Sequence, residues 1–120
     1  MPPTRRSSAK LPLSPAVFHI LLALADGDAH GYRIRTAVIE ASNGALVLDP
    51  GSLYRLIARL HEDQLIEDAP VGSRSTRDEE RTRQYRLTSE GRRVLKAETQ
   101  RMSALVSLAR TKTAKRGGHA

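Results

Sequence analysis

A polar residue followed by proline occurs twice, at Ser14-Pro15 and Asp49-Pro50, and each pair precedes a complete helical apolar stripe. Ser and Asp side chains accept hydrogen bonds from the free N–H groups of a first helical turn, and proline is preorganised for its first position. Behind Ser14 come Val17, Ile20, Leu21 and Leu24; behind Asp49 come Leu53, Leu56, Ile57 and Leu60. Both sets follow i, i+3, i+4, i+7 spacing, so each helix has one face to bury. Asp26-Gly27-Asp28 ends the first helix. Another helix is predicted between the two, from about Gly31 to Ser42, with Ile34, Val38 and Ala41 facing inward and Asn43-Gly44 as its stop. Ala45 to Leu48 is short, apolar and predicted to be extended. A chain of 120 residues suits one domain with one small core, which these three helices would share.

The next segment changes period. Leu65-Ile66-Glu67-Asp68 reads as a strand and Gln84-Tyr85-Arg86-Leu87 alternates as a returning strand. Between them, residues 70–83 (PVGSRSTRDEERTR) are polar and loop-like. Thr88 caps a long last helix, with Glu90 near its positive end. An isolated two-stranded hairpin is marginal in water, so it must pack on the helices. The resulting fold class is mainly α with a small β-hairpin: a winged helix-turn-helix plus a long C-terminal helix. Its expected divisions are a flexible basic arm at 1–12, the winged unit at 13–88, the last helix at 89–110 and a basic, fraying tail at 111–120.

Charge is distributed unevenly over this plan. The chain has twenty Lys and Arg against thirteen Asp and Glu, for a net of +7. The arm holds Arg5, Arg6 and Lys10 without an acid, and residues 110–120 hold Arg110, Lys112, Lys115 and Arg116 without an acid. Residues 13–109 are neutral, with thirteen charges of each sign. The tails suit a polyanion without sequence preference. The body binds one only where its positive charges gather on a single face.

The helix from Pro50 to about Asp63 offers such a face. Opposite its apolar stripe stand Ser52, Tyr54, Arg55, Ala58 and Arg59. Arg55 and Arg59 are four apart, hence stacked one above the other. The Arg fork matches guanine O6 and N7, and hydroxyls suit phosphate oxygens. An ordinary solvated face with two arginines is the competing reading of this helix alone. The polar loop adds Arg74, Arg77, Arg81 and Arg83 against Asp78, Glu79 and Glu80. Arg74 and Arg77 have no acid between them and are candidates for phosphate or minor-groove contact. Arg81 and Arg83 stand beside the acidic run, which can pair with them.

His30-Gly31-Tyr32, Pro50 to Leu56, Arg59-Leu60, Leu65-Ile66 and Tyr85 to Arg92 stand in an order that resembles the PadR family of bacterial transcription regulators. The resemblance covers about residues 13–109. It implies a winged helix-turn-helix, a homodimer built by the C-terminal helix, and repression of nearby genes. Its recognition-helix positions fall on Ser52, Tyr54, Arg55 and Arg59, and its wing on residues 70–83. One departure is Gln64, where the family has a glycine in the left-handed conformation at the helix end. A non-glycine residue there costs about 1 kcal/mol, or the helix ends differently. The chain resembles the shorter members, which leaves little room for an effector domain.

The last helix points to dimerisation on its own residues. Leu95, Met102 and Ala109 are seven apart with Leu105 between the last two, and Val94, Ala97, Ala104 and Leu108 adjoin them. This face is wide for one small domain to cover, although folding back on its own domain is the alternative. A two-fold dimer would present two recognition helices to an inverted repeat in double-stranded DNA. A winged-helix module that binds protein, and nonspecific binding through the tails, are the competing functions.

Enzyme chemistry is not expected. The four histidines, at 19, 30, 61 and 119, lack ligand spacing, and the chain has no cysteine. Glu62 and Asp63 beside His61 do not converge on one ion, because adjacent helical residues diverge. No cofactor or metal is expected, and no small-molecule effector is identified. His30 reads as a local cap or packing residue, and Tyr32 and Tyr85 as packing residues. The longest uncharged apolar run, Ile20 to Ala25, is far shorter than the roughly 18 residues of a membrane span. With no signal-type apolar segment before Pro12, a cytoplasmic location is expected.

Overall fold

The computed structural model describes residues 10–70 and 83–117. Its elements run α1 (Pro15–Leu24), β1 (Ala29–His30), α2 (Gly31–Ala41), α3 (Pro50–Glu62), β2 (Ile66–Asp68), β3 (Gln84–Leu87) and α4 (Ser89–Gly117). Both predicted polar-Pro starts form as caps. Ser14 Oγ accepts from the Val17 N–H and Asp49 Oδ1 from the Ser52 N–H. The apolar stripes meet in one core. Ile20, Leu21 and Leu24 of α1, Ile34 and Val38 of α2, and Leu53, Ile57 and Leu60 of α3 are all buried there.

The sheet is antiparallel with order β1-β3-β2. Ile66 pairs with Leu87 and Asp68 with Tyr85, which gives the expected hairpin. β1 is an addition: Ala29 pairs with Tyr85 and His30 with Gln84, so the hairpin is stitched to the start of α2. Residues 45–48 form no strand, and Ala41 is exposed instead of facing the core.

The junction from α3 through β2 to α4 is tightly closed. Gln64 takes the left-handed conformation itself (φ 62°). The Leu65 N–H donates to the Leu60 carbonyl, and the Thr88 hydroxyl donates to the Gln64 carbonyl at 2.6 Å. Thr88 Oγ1 also accepts from the Gly91 N–H, capping α4 as expected. These bonds over-determine the turn and offset the left-handed cost of about 1 kcal/mol at a residue with a Cβ.

α4 has two regimes. Val94 and Leu95 are buried in the domain core. Leu95, the first residue of the expected dimer face, thus packs in the chain's own core. From Ser103 to Lys115 every residue is exposed. The helix continues to Gly117, past the expected limit at 110, because no glycine or proline interrupts residues 111–116.

Candidate nucleic-acid interface

α3 is the most clearly two-sided of the short helices. Leu53, Ile57 and Leu60 are buried, while Tyr54, Arg55, Ala58 and Arg59 lie exposed and Ser52 is half-buried. The structure thus brings Ser52, Tyr54, Arg55 and Arg59 onto the outer side of one helix, as expected. An Arg55 Nη2–H donates to the Ser52 hydroxyl at 3.4 Å, so the guanidinium lies along the helix near its N-terminus. Tyr54 leans across to α2. Gly31 is buried, and a Cβ there would collide with the Tyr54 hydroxyl. A glycine at 31 therefore lets the tyrosine ring seat against the first turn of α2, with 48% of Tyr54 still exposed.

That first turn carries a residue that sequence pattern alone misplaces. Tyr32 is 70% exposed, where packing is expected. Its ring stacks on His30 at 6.4 Å between centroids. His30 itself caps α2, its Nδ1 accepting from the Arg33 N–H. Tyr32, Arg33 and Tyr54 thus cluster around the α2 N-terminus beside α3. Position supplies the missing signal: Tyr32 stands two residues before Ile34, about 200° around the helix from the buried side.

The recognition-helix cap responds to pH. Hydrogen bonds from Ser52 hold the Asp49 carboxyl below its ordinary value, with a smaller push from Arg55. A depressed folded value means that the cap contributes fully above the unfolded carboxylate value and is lost as pH falls through the lower folded one. Asp49→Ala is expected to lower the melting temperature at neutral pH, and Asp49→Asn to retain more of it. Melts followed across the acid range should show a shallower acid limb for both variants. Parallel limbs in native and variant chains would exclude this cap from the acid response.

At the wing base, Arg83 pairs with Asp68 at 3.0 Å and lies over the Tyr85 ring at 5.4 Å. Its partner among the described residues is thus a strand residue; the acidic run at 78–80 lies outside them. Burial pushes the Tyr85 hydroxyl above its ordinary value. Glu67 pairs with Arg86 at 2.8 Å across the hairpin. Such exposed pairs orient the strands more than they stabilise them. Arg74, Arg77 and Arg81 lie outside the described residues.

Three helices with an antiparallel hairpin seated on them, and a two-sided third helix, define a winged helix-turn-helix protein. Residues 20–97 match the family described as the transcriptional regulator PadR-like family, and the chain belongs to it. A protein described as an uncharacterized 37.1 kDa protein in transposon TN4556 of Streptomyces fradiae is 40% identical over 86 residues. That match takes in 72% of this chain and spans only 22% of the curated relative's length.

Solved structures agree in fold. A PadR family transcription regulator from Clostridium difficile gives a TM-score of 0.64 at 21% identity, covering 82% of this chain and 97% of that one. A transcriptional regulator from Clostridium thermocellum gives 0.62 at 23% identity, covering 80% and 87%. RosR of H. salinarum gives 0.64 at 19% identity, covering 92% and 98%. Among the described residues, no helix is long and apolar enough to cross a membrane, and no three His, Asp or Glu side chains gather to hold a metal ion.

Proposed function

We propose that this chain is a homodimeric, sequence-specific double-stranded DNA-binding regulator that represses transcription by occupying an inverted repeat. The observation that carries this reading is the open side of α3, where Ser52, Arg55 and Arg59 stand clear of a buried Leu53–Ile57–Leu60 stripe. In this role Arg55 and Arg59 reach base edges in the major groove, and Ser52 with the Tyr54 and Tyr32 hydroxyls holds phosphates. The wing, with Arg74 and Arg77, and the basic arm add backbone contacts. Dimerisation rests on α4, where Met102, Leu105, Leu108 and Ala109 continue the face that Leu95 begins inside the domain. Leu105 and Leu108 are 51% and 50% exposed, an unusual state for large apolar side chains on an isolated helix. The working divisions are the winged unit through Thr88 and the α4 helix beyond it.

The test is a binding titration of the full chain on DNA upstream of its own gene and on a scrambled duplex, repeated over a salt series. Preference for the upstream DNA supports the reading. Equal binding that vanishes with salt leaves only tail-driven, nonspecific contact. The neutral charge of residues 13–109 favours a protein-binding winged helix as the second reading, and no duplex binding at all would select it. Arg55→Ala is expected to reduce discrimination by about 1–3 kcal/mol and relax preference at one base pair. An unchanged affinity ratio between operator and random duplex would remove Arg55 from base reading.

A further inference from the structure

Among the described residues, Glu98 is the one charged side chain buried in the fold, with 1% of its surface exposed. It is also the last buried residue of α4: Met102 is half-buried, and every residue from Ser103 to Lys115 is exposed. The helix thus leaves the domain at Glu98. Its Oε2 accepts from the backbone N–H of Leu13 at 2.9 Å, across 85 residues of sequence. Arg101 closes the other side: its Nε–H donates to Oε1 at 2.6 Å and its Nη2–H to Oε2 at 2.9 Å. A well-packed hydrophobic residue of similar volume is often as good a filler as a buried ion pair, or a better one. What the carboxylate adds is direction, because its hydrogen bonds fix an angle that apolar contact leaves loose.

Leu13 connects this point to the recognition helix. It precedes the Ser14 cap of α1, packs against the domain core, and lines one groove with Leu56, Arg59 and Leu60 of α3. Glu98 therefore joins the root of the exposed half of α4, through one backbone N–H, to a residue seated beside α3. Hydrogen bonds from Arg101, joined by the Leu13 N–H, hold the Glu98 carboxyl below its ordinary value against the push of burial, which keeps the acceptor ionised near neutral pH. The lever beyond it is long. Leu108 stands about 15 Å past Glu98 at the helical rise per residue. A swing of about 10° at Glu98 displaces that part of α4 by about 2.6 Å, most of the roughly 3.4 Å rise of one base pair.

We propose that Glu98 is a positioning residue for specificity: through the Leu13 N–H it sets the angle between α4 and α3, and so the half-site spacing that the two recognition helices of a dimer accept. The inference rests on the dimeric, DNA-binding reading above. It gives a part in choosing the operator to a residue that stands on neither the outer side of α3 nor the exposed face of α4.

The experiment compares the full chain with Glu98→Leu, Glu98→Met and Glu98→Gln. Leu and Met fill the space without the hydrogen bonds, and two such variants are made so that a folding failure in one leaves the other to decide. Gln keeps an acceptor for the Leu13 N–H. Two quantities are read. The first is the distance distribution between spin labels at Glu62→Cys on α3 and Lys112→Cys on α4, which are unique attachment points because the chain has no cysteine. Labelled chain is diluted in unlabelled chain, so that only distances within one chain are counted. The second is affinity for duplexes carrying the upstream inverted repeat with its halves moved apart or together by one and two base pairs. In Glu98→Leu and Glu98→Met the distribution should broaden. Their discrimination against a one-base-pair shift should fall by about tenfold, the worth of about one mismatched base pair, with affinity for a single half-site unchanged. Glu98→Gln should keep both the narrow distribution and the spacing preference. An unbroadened distribution in the Leu and Met variants would overturn the proposal, because Glu98 would then set no angle. A broadened distribution with native spacing preference would overturn the role in specificity. Equal weakening on every spacing and on the half-site would assign Glu98 to the fold alone. An unaltered chain without any spacing preference would instead overturn the functional reading, with the label distances still deciding whether Glu98 fixes α4.

Discussion

Replacing Gly91 with alanine is expected to destabilise the fold by on the order of 2–3 kcal/mol and to lower the melting temperature by roughly 10 °C. Two effects oppose each other at this position. Alanine is the better helix former, by about 1 kcal/mol in a helix interior. The added methyl, however, would run into the Leu65 carbonyl oxygen and crowd Leu87. The first obstacle is backbone and cannot rotate away. That carbonyl accepts the Thr88 N–H at 3.1 Å, so moving it also disturbs the start of α4. The clash should therefore outweigh the propensity gain. Gly51→Ala is the control, because a Cβ there meets only the Asp49 carboxylate, at an ordinary 3.6 Å. It should leave stability unchanged or raise it slightly. A melting temperature that rises in Gly91→Ala would mean that the α3–β2–α4 junction is slack enough to re-pack.

The parts of this architecture that are legible in the sequence are those fixed by local chemistry. The caps at Ser14, Asp49 and Thr88 and the stripes of α1 and α3 need only neighbours within one or two turns. Gln64 is half legible: the family resemblance places a left-handed helix end there, but the residue type leaves another ending open, and the structure decides for the left-handed one (φ 62°). What escapes depends on partners distant in sequence. β1 is two residues long and exists because Gln84 and Tyr85 arrive beside it. Leu95 opens a seven-residue repeat, but a repeat does not tell whether the chain's own core or another surface covers each position. The burial of Glu98 has no signal in the helical pattern; the carboxylate accepts from an N–H 85 residues away. Tyr32 shows the converse error. An aromatic next to a glycine suggests packing, yet Gly31 makes room for Tyr54 and leaves Tyr32 outside. Of the residues proposed to meet DNA, those on α3 can be read from the sequence because one periodic pattern separates its two faces.

Leu105→Glu combined with Leu108→Glu is expected to convert the proposed dimer into a folded monomer and to weaken operator binding by about 10²- to 10⁴-fold. The size of the effect follows from linkage. When two recognition helices are held in one particle, the second half-site is bound at a high effective concentration, and separating them forfeits that gain without altering a single DNA contact. The two substitutions lie three residues apart on an exposed length of α4, so the domain core gives up nothing. Two glutamates on this face would repel their two-fold copies and require burial of uncompensated charge on association. Light scattering reads the mass, and titration on a full and a halved operator reads the affinity. The monomer should bind both DNAs alike, whereas the native chain should favour the full site. A variant that keeps both the dimer mass and the operator affinity would show that these leucines lie outside the interface. A variant that becomes monomeric yet binds the full operator undiminished would separate dimerisation from recognition. In that case one α3 would supply the whole of the reading surface.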